Sequence, residues 1–190
     1  MGNNLTKLLP TVLMVTIMGI GGAKASHCDN SSFSGSYALR VSGFAEGVFD
    51  SSGTLHPYSA LQPITIVGQA NFDGNGSFAR IDYAVQNGSP AIPAGTPLTE
   101  NGFRSGITGT YQIADDCTGI LTADFVTGQI NGFALSVVDN GQTVFGVSTF
   151  SHQPMLPPAS LPSGTTCSAP DGCDLGVNLA IEFVRNPNRH

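Results

Sequence analysis

The feature that most constrains the fold is an alternation of apolar and polar residues that returns eight times along the chain. It is clearest within residues 101–125, where two alternating segments flank a tight turn at residues 114–119. A period of two places every second side chain on the same face of a strand, so each segment predicts a strand with one buried face. Residues 101–125 therefore predict an antiparallel hairpin.

The rest of the chain repeats this hairpin pattern with other turn residues. The further predicted strands cover residues 35–43, 62–73, 77–86, 131–138, 142–151 and 175–185. Between them, the turn sequences at residues 73–76 and 139–141 are rich in Gly, Asn and Asp, which tolerate the positive φ angles of tight hairpins. Residues 44–61 and 152–174 are predicted loops. The first of these is rich in apolar side chains, so we expect it to fold over an opening or to pack on a rim.

Eight strands without an amphipathic helix predict an all-β fold, because no other layer is present to cover one face of an open sheet. The most economical arrangement is a single antiparallel up-and-down β-barrel of about eight strands, and a two-sheet β-sandwich is the alternative. The charged strand residues Arg80, Asp82 and Arg104 are expected to face solvent; the alternative is that Arg80 and Asp82, which share a face with Phe78, form an inward polar pair in the barrel. The predicted interior comprises Tyr37, Leu39, Val41, Ile64, Ile66, Phe72, Ile81, Tyr83, Ile107, Tyr111, Leu121, Phe125, Phe133, Leu135, Val144, Leu179, Ile181 and Phe183.

The first 25 residues have the pattern of a secretory signal peptide. A lysine precedes an apolar run over residues 8–22, and Ala23 and Ala25 provide a small-x-small cleavage site. A membrane anchor is the alternative, but the run is shorter than the roughly 20 residues that span a bilayer. We therefore predict a signal peptide at residues 1–25, a single barrel domain at residues 26–190, and a secreted or periplasmic location without a membrane span after cleavage.

The charge balance excludes one class of partner. The formal net charge is −6, and both lysines, Lys7 and Lys24, lie in the predicted signal segment. A protein that binds nucleic acid or an anionic membrane surface needs a basic patch to neutralise phosphates, and this chain has too few cations to form one. We therefore expect no nucleic-acid partner.

The four cysteines, Cys28, Cys117, Cys167 and Cys173, are an even number in a chain predicted to be exported, which favours disulfides. Three pairings are possible. The short glycine-containing segment between Cys167 and Cys173 lets these two meet easily, which favours that pair together with Cys28–Cys117. The cysteines lack the paired C-x₂-C spacing of structural zinc sites, so we predict no metal site.

Three short sequences occur in an order that resembles a group of exported, mostly uncharacterised bacterial proteins. They are G-S-Y at residues 35–37, F-D-G-N-G-S-F at residues 72–78 and G-T-Y-Q-I-A-D-D-C-T-G at residues 109–119. The resemblance covers roughly residues 33–126, and it implies a small calycin-like barrel, similar at the level of fold to lipocalins and to the allene-oxide-cyclase barrel. It implies no catalytic residues.

No pattern in the sequence predicts a catalytic, cofactor-binding or metal site. The histidines His27, His56, His152 and His190 fall in predicted loops or near the ends of the chain, and the sequence has neither a nucleophile elbow nor a glycine-rich phosphate loop. We therefore predict a secreted, non-catalytic barrel that binds a small apolar ligand. A structural or interaction protein of the cell surface without a small ligand is the alternative, and an isomerase or cyclase follows only from the analogy of fold. The sequence leaves the oligomeric state open.

Overall fold

The computed structural model describes residues 27–157 and 160–187, so the predicted signal peptide lies outside the described residues. Within these two ranges no helix is long and apolar enough to cross a membrane. Strand is the main secondary structure of the described chain, with short 3₁₀ turns at Asn30–Ser32 and Asp139–Gly141. The strands are β1 (Ser34–Phe49), β2 (Leu55–Asp73), β3 (Ser77–Gln86), β4 (Ser89–Pro90), β5 (Arg104–Ile113), β6 (Thr118–Asp124), β7 (Ile130–Val138), β8 (Thr143–Gln153) and β9 (Cys173–Arg185).

Eight of these strands form one closed antiparallel barrel, which confirms the predicted fold and excludes the sandwich. Neighbours in the chain are neighbours in the barrel, and β9 pairs with β1 to close it; the two-residue β4 is an extra strand on β3. Closure pairs the first and last strands, so the ring itself has no open edge. Small residues make the tight curvature possible. At Gly109, for example, a Cβ atom would lie 2.0 Å from the carbonyl oxygen of Thr122 and 2.6 Å from the ring of Phe78.

One end of the barrel is filled by an aromatic cluster. Phe33, which is fully buried, enters the barrel just before β1 begins. Its ring centroid lies between 3.8 and 5.4 Å from those of Tyr37, Phe72, Tyr111 and Phe183. The segment before it is held by the disulfide Cys28–Cys117 and by the Asn30 side chain, whose Oδ1 accepts a hydrogen bond from the Ile113 amide at 2.8 Å. We call this the closed end.

The predicted interior is buried except for Ile64, Ile81 and Tyr83. For β3 the inner and outer faces were predicted the wrong way round. Its inward side chains are Phe78, Arg80, Asp82 and Ala84. The register explains the reversal, since Phe78 pairs with Phe72, whose ring belongs to the closed end. On the outer face Tyr83 is partly covered by Phe103, with the ring centroids 5.9 Å apart.

The predicted loop at residues 44–61 is also corrected. Strand β1 continues to Phe49 and β2 begins at Leu55, so the two strands form a hairpin that extends beyond the barrel. Pro57 is tolerated because it lies in a part of β2 that pairs with β1 alone, where the missing N–H can face away from the ladder. The extension buries Val48 in a second small core with the disulfide Cys167–Cys173.

Both disulfides, Cys28–Cys117 and Cys167–Cys173, have the connectivity that the cysteine spacing favours.

A pair of neighbouring residues in β6 tests the assignment of the interior. Leu121 faces inward and is 1 % exposed, whereas Ile120 faces outward and is 61 % exposed. Replacing Leu121 with Ala should lower the free energy of unfolding by about 2 to 5 kcal/mol, because it removes buried methyl groups and leaves a cavity. Replacing Ile120 with Ala is the matched control and should change it by less than about 1 kcal/mol. Equal losses in urea denaturation would contradict the assignment.

A cavity at the open end of the barrel as the candidate site

The end of the barrel opposite the aromatic cluster is open and contains a cavity of about 450 Å³. This volume lies within the range of about 300 to 1,000 Å³ that is usual for small-molecule sites. Apolar side chains form its inner wall, chiefly Ile64 and Ile66 from β2 with Val177 and Leu179 from β9. Side-chain amides also line it; Asn131 is buried, and the others are at least partly exposed. They are Gln62, Gln86, Asn87, Gln129, Asn131 and Gln153.

Two segments outside the barrel narrow the mouth of the cavity. Tyr58 of the projecting hairpin lines it together with Leu156, and both side chains also pack against the second small core. On another side, residues 90–93, which follow β3, line the cavity as well. The expectation that the apolar segment 44–61 would pack at an opening is therefore met, although by a pair of strands instead of a loop.

Three charged side chains lie deeper in the barrel, between the cavity and the aromatic cluster. Asp82 is fully buried, and Arg80 and Arg104 are each 4 % exposed. Asp82 Oδ2 accepts a hydrogen bond from Arg80 Nη2 at 2.5 Å, and its Oδ1 accepts one from Arg104 Nε at 2.6 Å. We call these three residues the buried charge cluster. Of the three, Arg104 lines the cavity, so the cluster provides part of the cavity floor.

A β-bulge turns Arg104 into the barrel. Arg104 and Ile107 are three residues apart, so a regular strand would place them on opposite faces. Opposite them, β3 advances by only two residues, because Arg80 pairs with Ile107 and Asp82 pairs with Arg104. The extra residue is accommodated beside Gly106, whose φ of +72° is readily adopted only by glycine. Both Arg104 and Ile107 therefore face inward.

The buried charge cluster carries two positive charges against one negative charge. Burial lowers the pKa of Arg80, Asp82 opposes this shift, and the nearby Arg104 adds to it. An arginine side chain stays protonated nonetheless, because its reference pKa is so high. The ring of Phe125 contacts both cations, with guanidinium carbons 5.3 Å (Arg80) and 5.2 Å (Arg104) from its centroid. Within the described chain, Arg80 Nε and Nη1 have no hydrogen-bond acceptor. The cluster is thus a net cation in a largely apolar interior.

The expectation that these three residues face solvent was wrong. The structure instead shows the alternative, an inward polar pair of Arg80 and Asp82, and it adds Arg104, whose inward position was not predicted. Two signals in the sequence bear on these positions. Arg80 and Asp82 alternate with Phe78 and therefore share its face, and Gly106 interrupts the alternation directly after Arg104. Neither signal shows that these three charges would be buried together. Their burial depends on ion pairs between side chains of β3 and β5, which only the folded barrel brings into contact.

A second cleft of about 370 Å³ lies outside the barrel, beside the tip of the projecting hairpin. His152 Nδ1 is 2.8 Å from Asp174 Oδ1 there, and nearby His56 Nε2 is 2.9 Å from Asp50 Oδ2. Both histidines lie in strands, contrary to their predicted position in loops, whereas His27 lies close to the start of the described chain and His190 lies outside it. The hydroxyl group of Ser52 donates to Asp50 at 2.6 Å, and no described hydroxyl group hydrogen-bonds to either histidine ring.

Asp115 and Asp116, in the turn before β6, have different partners. Asp116 Oδ1 accepts hydrogen bonds from the amide and hydroxyl of Thr118, and these bonds lower the pKa of Asp116. Its neighbour Asp115 instead pairs with His27 at 3.2 Å. The two carboxylates therefore do not act together. Across residues 27–157 and 160–187, no group of three or more His, Cys, Asp or Glu side chains is placed to hold a metal ion.

Comparison with known proteins leaves the resemblance to exported bacterial proteins as an expectation. No family model, no curated protein and no solved structure matches the chain. The strand order shows the small closed barrel that the resemblance implies, because β1 to β3 and β5 to β9 follow one another around the ring.

Proposed function

We propose that the protein is a secreted, non-catalytic binding protein that holds a small, largely apolar molecule in the cavity at the open end of its barrel. The observation that carries this proposal is the asymmetry of the interior. The closed end is filled by aromatic side chains, whereas the other half of the same barrel retains a cavity of about 450 Å³ that is lined by both apolar and amide side chains. Burial of apolar surface would supply most of the binding free energy.

The two disulfides support the secreted location. Disulfides persist in oxidising compartments and are rare in the cytosol, where thiols are kept reduced. The described chain has no free cysteine, and one of the bridges, Cys167–Cys173, lies in the small core that borders the cavity mouth. The cavity would therefore keep its shape outside the cell, where a lipophilic molecule needs a protein carrier or receptor.

A neutral lipophilic dye, Nile red, tests the proposal without assuming the identity of the natural ligand. The dye should bind with a stoichiometry of one per chain and with increased fluorescence, because the cavity excludes water. Replacing Ile64, which lines the cavity, with Trp should weaken dye binding by about tenfold or more, equivalent to about 1.4 kcal/mol. Replacing Val67 with Trp is the matched control, because this residue of the same strand faces outward and is 49 % exposed. Absence of dye binding, or equal binding by both variants, would contradict the proposal.

An outer apolar strip favours the alternative of an interaction protein. It consists of Ile120, Phe145, Val147 and Phe150, which lie on the outside of β6 and β8, and Val147 is 57 % exposed. Native mass spectrometry of the secreted protein distinguishes the two functions. A monomer that retains a lipophilic adduct supports the binding protein. An adduct-free oligomer that also fails to bind the dye supports the interaction protein.

A further inference from the structure

We infer that the ligand is an amphipathic anion whose negatively charged head group reaches the cavity floor and pairs with Arg104, while its apolar part lies against the cavity wall. This inference rests on the proposed function and specifies the chemical class of the ligand. Arg104 is buried, lines the cavity and is held by the buried carboxylate of Asp82, so its position is fixed by the fold.

The first step of the argument is the position of Arg104. Its Nε donates a hydrogen bond to Asp82, and its Nη1 donates one to the carbonyl oxygen of Ala91 at 3.3 Å. Nη2 donates to no described residue. A guanidinium group presents its donors in one plane, so a group bound at the remaining edge would accept hydrogen bonds without displacing Asp82. Arg104 is therefore fixed in orientation and still has donor capacity.

The second step is the charge of the surroundings. Asp82 compensates one cation only, and Arg80 lies on its other oxygen, so the cluster has an excess positive charge. Among the described residues that line the cavity there is no Asp or Glu, and Arg104 is the one charged side chain. In a partly desolvated site an uncompensated charge acts far more strongly than at the surface. The cavity floor therefore favours an anion over a neutral group and rejects a cation.

The third step weighs this local charge against the acidity of the whole chain. The formal net charge of −6 repels anions at long range. Salt screens this repulsion over about 8 Å at physiological ionic strength, whereas a contact between buried groups is screened much less. The net charge therefore affects how fast an anion arrives more than how tightly it is held. The single free edge of Arg104 suits a head group of the size of a carboxylate.

Three molecules with the same alkyl tail test the inference on the unaltered protein. Decanoate, decanol and decylamine would be compared, below their micelle-forming concentrations at neutral pH, by displacement of Nile red from the cavity. Decanoate should bind about tenfold more tightly than decanol, as expected for a charge-assisted hydrogen bond, and decylamine should bind more weakly than both. Equal binding of decanoate and decanol overturns the inference but leaves the proposed function intact. If the dye itself does not bind, the proposed function fails.

Substitutions of Arg104 test whether this residue causes the preference for decanoate. Replacing Arg104 with Gln should abolish the preference for decanoate over decanol, and replacing it with Lys should retain part of it. The readout is the ratio of the two affinities within each variant, so a general change in the cavity cancels. Replacing Arg40 with Gln is the matched control, because this arginine is exposed on the outer face of β1 and should leave the ratio unchanged. A preference that survives in the Arg104→Gln protein and remains equal to that of the unaltered protein overturns the inference.

Discussion

Replacing Asp82 with Asn should lower the free energy of unfolding by about 3 to 5 kcal/mol, because breaking a buried ion pair leaves an uncompensated charge. The effect is expected at the upper end of this range. Asp82 is fully buried and is the acceptor for two guanidinium groups, at 2.5 and 2.6 Å, so its neutralisation leaves two buried cations facing each other. Urea denaturation followed by far-UV circular dichroism measures the loss.

Two further variants make this result specific. Replacing Asp124 with Asn, an exposed carboxylate of β6, should change stability by less than about 0.5 kcal/mol. Replacing the whole buried charge cluster with Met, Leu and Met at positions 80, 82 and 104 should restore much of the stability lost in Asp82→Asn, since apolar residues of similar volume often match a buried ion pair. An Asp82→Asn protein as stable as the Asp124→Asn protein would show that the cluster is not held by its carboxylate.

Removing the disulfide Cys28–Cys117 should be the other large loss. The bridge joins residues 89 positions apart, for which the chain-entropy estimate is roughly 4 to 5 kcal/mol. It also holds the segment that carries Phe33 into the closed end, so its loss weakens the anchoring of an aromatic cluster. Both cysteines would be replaced with Ala, which leaves neither a free thiol nor a buried hydroxyl.

The second disulfide provides the control. Cys167 and Cys173 are only six positions apart, and the same estimate gives roughly 2 kcal/mol for so short a loop. Unfolding of the two double-alanine variants under identical conditions should therefore show the larger loss for the long-range bridge. Equal losses, or a larger loss for the short bridge, would contradict the role assigned to the closed end.

The buried charge cluster links stability to the proposed function. Apolar residues of similar volume often match a buried ion pair in stability, so stability alone gives no reason for three charges inside the barrel. They do place a fixed cation at the floor of a cavity, and Arg104 alone of the three reaches that cavity. If the triple variant is stable but shows no preference for decanoate over decanol, the cluster serves recognition.

Much of the barrel followed from the sequence because its causes are local. Alternation within a segment such as β7 defines a strand and its two faces, and a turn such as Asp139–Gly141 marks where the chain reverses. Eight such strands in sequence order, without a helix to cover them, leave closure as the arrangement that buries one face and removes the edges. The cysteine pairing favoured by the spacing is local in the same sense for Cys167–Cys173.

The interior of β3 was decided by tertiary structure. Alternation specifies that Arg80 and Asp82 share one face and that Ile81 and Tyr83 share the other, but it does not specify which face is inside. Hydropathy favours Ile81 and Tyr83. The outcome depends on partners from elsewhere in the chain, because Phe103 partly covers Tyr83 from outside and Arg104 completes the pairing of Asp82 inside.

Most of the strands and their order thus followed from the sequence, since they depend on patterns within a few residues of one another, and the sequence favoured a closed barrel over a sandwich. Tertiary structure alone decided where the barrel is filled and where it is open. Phe33 fills one end because a disulfide brings its segment to β6, and Arg104 reaches the other half because a bulge at Gly106 shifts the register of β5 against β3. Whether a charge inside a barrel is tolerated depends on the partners that the closed sheet brings within hydrogen-bonding distance, and no local pattern contains that information.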